Sequence, residues 1–134
     1  MMWVVDTSAL IRLFVPDGPL HPEVETAFNR AATGADLVLA PHLLLAEAAN
    51  VLLRKRRRDE LSTEELRELL QAVESLPIRL CEHGPLLFPA CALAEAHGLS
   101  AYDALYLAVA EQHGARLITN DEGLAKVARA IGLA

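Results

Sequence analysis

Met2-Trp3-Val4-Val5-Asp6-Thr7-Ser8 decides the architecture. A short apolar run rich in β-branched side chains reads as a buried strand, and this one stops at an acid. The same figure returns at Arg116-Leu117-Ile118-Thr119-Asn120-Asp121, where a strand over Arg116–Thr119 leads to Asp121 at the start of a last helix. Between them, Asp36–Ala40 and Ile78–Cys81 supply two further strands. Helical segments fill the intervals: Ser8–Val15, His21–Ala32, Pro41 to about Arg56, Ser62 to about Leu76, Leu86–His97 and Ser100–His113. Ser62-Thr63-Glu64-Glu65 is a capping box, and Pro77, Gly98 and Gly114 stand where helices stop. Strands alternating with helices, each strand apolar on both faces, predict an α/β fold with a central parallel sheet of four strands covered on both sides.

The 134 residues suit a single domain, 1–134, with no linker, repeat or low-complexity segment. A hydrophobic fraction of 53% argues against disorder and allows a sizeable core. Cys81 and Cys91 match no zinc spacing and no disulfide framework, which predicts two buried, reduced thiols. The five histidines are scattered, and no Walker loop, dinucleotide glycine fingerprint or Gly-x-Ser-x-Gly elbow occurs. The opening run has no basic lead and is interrupted by Asp6, unlike a signal peptide. The apolar stretch Leu37–Leu53 is broken by Pro41, His42, Glu47 and Asn50, too polar and too short to span a bilayer. The expectation is a soluble, cytoplasmic protein with no membrane partner. The net charge of −6 is the wrong sign for a generally basic nucleic-acid binder. It leaves two routes to nucleic acid: a local basic patch, or bound divalent cations that reverse the sign of a site.

Parallel sheets place ligands beyond the carboxyl ends of their strands. Asp6 ends the first strand and Asp121 lies two residues past the fourth. The helix from Ser100 brings Asp103 in its first turn over the same edge, and the helix leaving the second strand carries Glu47 on its second turn. Each of three acids also has a structural reading. Asp6 can cap the helix after it, Asp103 suits the positive pole of its helix, and Asp121 is a natural N-cap. Glu47 is different. It stands among aliphatics with no basic residue at the neighbouring helical positions 43, 44, 50 and 51. An unpaired buried charge costs several kcal/mol, so such acids mark sites. Asn50, one turn on, shares its face. A cluster of carboxylates repels itself, and a hard divalent cation relieves the repulsion. An all-oxygen donor set suits Mg²⁺ or Mn²⁺, and a centre of that kind can activate water against a phosphodiester.

At this point a resemblance becomes specific. Asp6-Thr7-Ser8-Ala9-Leu10 after an opening strand, Glu47-Ala48-Ala49-Asn50, Ser100-Ala101-Tyr102-Asp103-Ala104-Leu105-Tyr106-Leu107-Ala108 and Leu117-Ile118-Thr119-Asn120-Asp121 resemble, in order, the acidic motifs of the PIN-domain family. The pattern is most similar to the VapC-type toxins of toxin–antitoxin pairs. The resemblance implies a three-layer α/β/α fold and a Mg²⁺- or Mn²⁺-dependent endoribonuclease acting on single-stranded or structured RNA. It further implies a homodimer and a cognate antitoxin. It makes Asp6, Glu47, Asp103 and Asp121 the catalytic metal-binding acids, with Thr7, Ser8, Thr119, Asn120 and Asn50 supporting them. One departure is visible: the chain after the last helix leaves little room for the family's closing fifth strand, which is expected to be absent or very short.

The run Arg54-Lys55-Arg56-Arg57-Arg58 carries two readings. It is a solvated helix end suited to the negative pole of the dipole, or a basic rim that holds RNA phosphates. Two rivals to the nuclease come from other classes. A non-catalytic PIN-like module that binds RNA or protein should have lost some of the four acids. Acid-cluster phosphatases and receiver domains should show an acidic partner near Asp6, where Thr7-Ser8 stands instead.

Overall fold

A computed structural model describes all 134 residues. Four parallel strands, β1 (Met2–Val5), β2 (Leu37–Pro41), β3 (Ile78–Cys81) and β4 (Arg116–Ile118), lie in the order β3-β2-β1-β4. The chain steps outward from β1 through β2 to β3, then crosses back to set β4 on the other side of β1. The gap between β1 and β4 at their carboxyl ends is therefore the switch point, where such sheets accept ligands. Consecutive residues of β1 and β2 are buried, so helices cover both faces, giving the three-layer α/β/α arrangement.

The helices are α1 (Thr7–Leu10), continued by a tighter 3-10 turn at Ile11–Leu13, α2 (Val24–Ala32), α3 (Leu43–Arg57), α4 (Thr63–Glu74), α5 (Leu87–His97), α6 (Ala101–His113) and α7 (Glu122–Ala130). Helix α6 lies deepest. Ala104 to Ala110 are all buried, because α6 packs on the sheet and is itself covered by α5. The predicted capping box forms, with Ser62 accepting from the Glu65 N–H and Glu65 from the Ser62 N–H.

Some boundaries differ from the sequence reading. Pro41 does not open α3 but ends β2 opposite Cys81. Its missing N–H is harmless there, since His42 gives the next bond to the Cys81 carbonyl (3.0 Å). Residues 21–23 form a turn in which the Glu23 N–H donates to His21 Nδ1 (3.1 Å), so α2 starts at Val24. Cys91 is exposed because α5 turns part of an apolar surface outward, and Cys81 is half-buried at the end of the edge strand β3; both are free thiols. No fifth strand forms. Gly132, at φ +79°, reverses the chain after α7, and the Leu133 carbonyl then accepts the Leu117 N–H (2.7 Å) on the open side of β4.

The amino ends of β1 and β2 are tied by one buried acid. Asp36 accepts from Trp3 Nε1 (3.0 Å), Arg30 Nε and Nη2 (2.8 and 3.2 Å) and the Met1 amino group (3.1 Å). The Arg30 guanidinium, then the indole, hold its carboxyl well below the usual carboxylate range.

Candidate active site

At the opposite end of the sheet, Asp6 leaves β1 and caps α1. Its Oδ1 accepts from the Ala9 N–H (3.1 Å) and Ser8 Oγ (2.7 Å), and its Oδ2 from Thr119 Oγ1 (2.5 Å). The Ser8 and Thr119 hydroxyls lie 3.1 Å apart and accept the N–H groups of Asn120 (2.9 Å) and Asp121 (3.0 Å). This web stitches the ends of β1 and β4 across the switch point. Asp6 is only 5% exposed and no cation touches it. Burial pushes its carboxyl up to about 6, against the pull of the Thr119 and Ser8 hydroxyls and the Ala9 N–H, with the Asp103 charge adding to the rise.

Glu47 reaches the same space from α3. It is half-buried, and it has partners that the sequence reading did not supply: Tyr106 OH (2.5 Å) and Thr7 Oγ1 (3.0 Å) both donate to its Oε1. Tyr106 is fully buried, and burial together with the bond to Glu47 lifts its phenol far above the ordinary value, so it stays a donor. Asp103 sits in the first turn of α6, its N–H on Ser100 Oγ (3.1 Å). Burial, then Asp121, then Glu47 raise its carboxyl. Asp121 is exposed and caps α7 through the Leu124 N–H (2.9 Å).

All four acids line one cavity of about 480 Å³, with Thr7, Ser8, Asn50 and Tyr106 among its other walls. Thr119 stands behind it, in the web. Asn120 does not line it; its Nδ2 donates to the Pro19 carbonyl (2.9 Å) and clamps a neighbouring loop. Of the basic run, only Arg54 lines the cavity. Lys55 is buried in ion pairs with Asp17 and Glu60, and Arg56 bonds Asp59 and Thr63, because successive helical residues turn through about 100°. Two polar wall residues had no place in the sequence reading of the site, Tyr106 and Arg12. Tyr106 carried a signal, since it stands three residues after Asp103 on the same helix.

The pattern of the PIN domain matches residues 3–130. The chain belongs to the PIN-domain family. It is 34% identical to Ribonuclease VapC3 of Pyrobaculum aerophilum over 128 residues, covering 94% of each chain. To Ribonuclease VapC1 of Mycobacterium tuberculosis it is 38% identical over 122 residues, covering 91% of this chain and 87% of that one. Within the family, this PIN domain is therefore of the VapC type. The crystal structure of PAE2754 from Pyrobaculum aerophilum superposes with a TM-score of 0.71 at 26% identity, over 95% of this chain and 79% of that one. The fold is shared also by Mycobacterium tuberculosis VapC20, with a TM-score of 0.67 at 20% identity over 98% and 96% of the two chains. No helix of this PIN domain is long and apolar enough to cross a membrane.

The donor set fits a hard divalent cation. It is all oxygen, and the acids add their charges to the burial that raises them: Asp103 to Asp6, and Asp121 and Glu47 to Asp103. No three of the acids close into a cage. An open set with room for water is what Mg²⁺ uses, since it dehydrates reluctantly and takes few protein ligands.

Proposed function

We propose that this PIN domain is a Mg²⁺- or Mn²⁺-dependent endoribonuclease, the toxin of a type II toxin–antitoxin pair. One observation carries the reading: Asp6, Glu47, Asp103 and Asp121, from four different elements, line a single cavity at the switch point of the sheet. The names of the VapC ribonuclease relatives support RNA as the substrate.

Asp6, Glu47 and Asp103 would hold the cation partly through its own waters, with Asp121 at the exposed side. When bound, the cation supplies a Lewis acid for the phosphate and lowers the pKa of a bound water. The residues of the chain do the positioning. Ser8, Thr119 and the Ala9 N–H fix both oxygens of Asp6. Tyr106 and Thr7 both hold Oε1 of Glu47, which lines the cavity, and leave its other oxygen free of them. All these donors are neutral, so the acids keep their negative charge for a ligand.

A second copy and an antitoxin complete the reading. The exposed Leu87 and Phe88 at the start of α5 support a homodimer, and with RNA as substrate the cytoplasm is the place of action. The test is cleavage of single-stranded RNA with Mg²⁺ or Mn²⁺, without metal in EDTA, and with Asp6→Asn. Metal-dependent cleavage lost in both controls is the expected result. Full activity in EDTA overturns the mechanism, and metal-independent RNA binding with no cleavage would favour a binding module.

A further inference from the structure

The cavity has two signs. Beside its acids it is lined by two guanidinium groups, Arg12 and Arg54. Arg54 lies seven residues along α3 from Glu47, about 10.5 Å up the axis, with Asn50 and Val51 between them on the same stripe. Arg12 projects from the 3-10 turn, four residues after Ser8. It also lines a neighbouring depression formed with Pro19, Leu20, His21, Pro22 and Asn120, so it stands in the passage between the two.

The seat of Arg12 is built. Gly18 leaves room for it: a Cβ there would come within 3.0 Å of Nε and 3.3 Å of Cζ. The loop bearing Gly18 is pinned on both sides, by Lys55 holding Asp17 and by Asn120 holding the Pro19 carbonyl. Nevertheless Arg12 Nε is shielded from solvent and has no hydrogen-bond partner. The fold thus seats a guanidinium that makes no hydrogen bond through Nε and whose charge is shared only at a distance, with Asp17, so its outer nitrogens at the cavity wall are available to an oxyanion.

We propose that Arg12, assisted by Arg54, binds the RNA phosphate next to the one hydrolysed at the acids, and so sets the register of the strand in the cavity. The inference rests on the nuclease reading. The acids and their cation would take the scissile group, while the guanidinium groups stand further along the chain from Asp6 and Glu47, on the 3-10 turn after α1 and on α3. Arginine suits this task because its planar fork matches two phosphate oxygens. It also eases the conflict between an acidic chain and a polyanionic substrate, since two positive charges stand in the wall of the same cavity as the acids.

The experiment compares cleavage of a dinucleoside monophosphate, which holds only the scissile phosphate, with that of a trinucleoside diphosphate. Wild-type protein should gain in kcat/KM from the added phosphate, and Arg12→Gln should lose at least about tenfold more on the longer substrate than on the shorter. Gly18→Ala, which keeps the charge but spoils its seat, should show the same substrate-dependent loss in smaller measure. Equal losses on both substrates, or none on either, overturn the proposal. Binding of a 2′-O-methylated decanucleotide, followed by fluorescence anisotropy across a salt series, is read in parallel. Arg12→Gln should flatten the slope by about one phosphate. An unchanged slope refutes the role of Arg12 even in a protein that cuts neither substrate, whereas absent cleavage with a flattened slope refutes only the nuclease reading.

Discussion

Two buried aspartates stand at opposite ends of the same sheet, and they are treated in opposite ways. Asp36, before β2, is saturated by Arg30, the Trp3 indole and the Met1 amino group, and its carboxyl is held below the usual range. Asp6, after β1, is as deeply buried yet meets only hydroxyls and one N–H, and its carboxyl rises to about 6. A structural acid is given its counter-charge by the fold. Asp6 is oriented by neutral donors and left short of positive charge, which in the proposed nuclease a cation would bring.

The contrast is broken most directly by neutralising each acid. Asp6→Asn, like Glu47→Gln or Asp103→Asn, should cut RNA cleavage by about a hundred- to a thousandfold, the scale of losing several kcal/mol of cation stabilisation. The same Asp6→Asn should raise the melting temperature of the metal-free protein, by up to about 3 kcal/mol of stability at neutral pH for a carboxyl raised to about 6 from 3.8. Cleavage assays and thermal melts of one variant thus move in opposite directions; a destabilised Asp6→Asn would place Asp6 with Asp36 as a structural acid.

Thr119→Val and Tyr106→Phe remove a neutral donor from behind an acid. Each should lower activity or metal affinity by about ten- to a hundredfold while far-ultraviolet circular dichroism stays unchanged. Asp36→Asn should do the reverse. It leaves Arg30 and Trp3 short of their acceptor, lowers the melting temperature by several degrees, and spares cleavage assayed below the transition.

The pH dependence separates the two ends as well. Asp6 binds its proton more tightly folded than unfolded, so its contribution to stability grows as pH falls from about 7 toward 4. Asp36 binds its proton more weakly when folded, so its contribution is full above the ordinary carboxylate range and is lost as pH falls below it. Melting curves of the metal-free protein should therefore lose the first slope in Asp6→Asn and the second in Asp36→Asn. The smallest effect is expected for Asp121→Asn, a few-fold in rate, because Asp121 is exposed and shared with the cap of α7. A loss there as deep as in Asp6→Asn would make all four acids equal.

Much of this was legible in the sequence because it depends on local signals. Apolar runs ending in Asp6 and Asp121, and caps at Ser62 and Ser100, each announce themselves within a few residues, and the parallel-sheet rule then joins distant acids. Pro41 was misread because a proline after an apolar run also signals a helix start; only the pairing with Cys81 shows that β2 goes on. The partner of Glu47 was missed because Tyr106 comes from 59 residues away and carries no charge. Lys55 was grouped with its arginine neighbours, yet its ion pairs reach Asp17 and Glu60 through folds of the chain that composition does not encode. Arg12 looked like one polar break in Leu10-Ile11-Arg12-Leu13-Phe14, and only its seat against Gly18 gives it direction.

The ladder joining β1 to β4 is three residue pairs long, and beyond it the Ile118 carbonyl accepts from the Asp6 N–H (3.2 Å) and the Leu117 N–H gives to the Leu133 carbonyl (2.7 Å). The hydroxyl web that fixes Asp6 hangs from that short border strand. Fraying of β4 would therefore scatter the carboxylates while the deeper helix α6 and the rest of the interior still stood, so heat should silence this protein before it melts it.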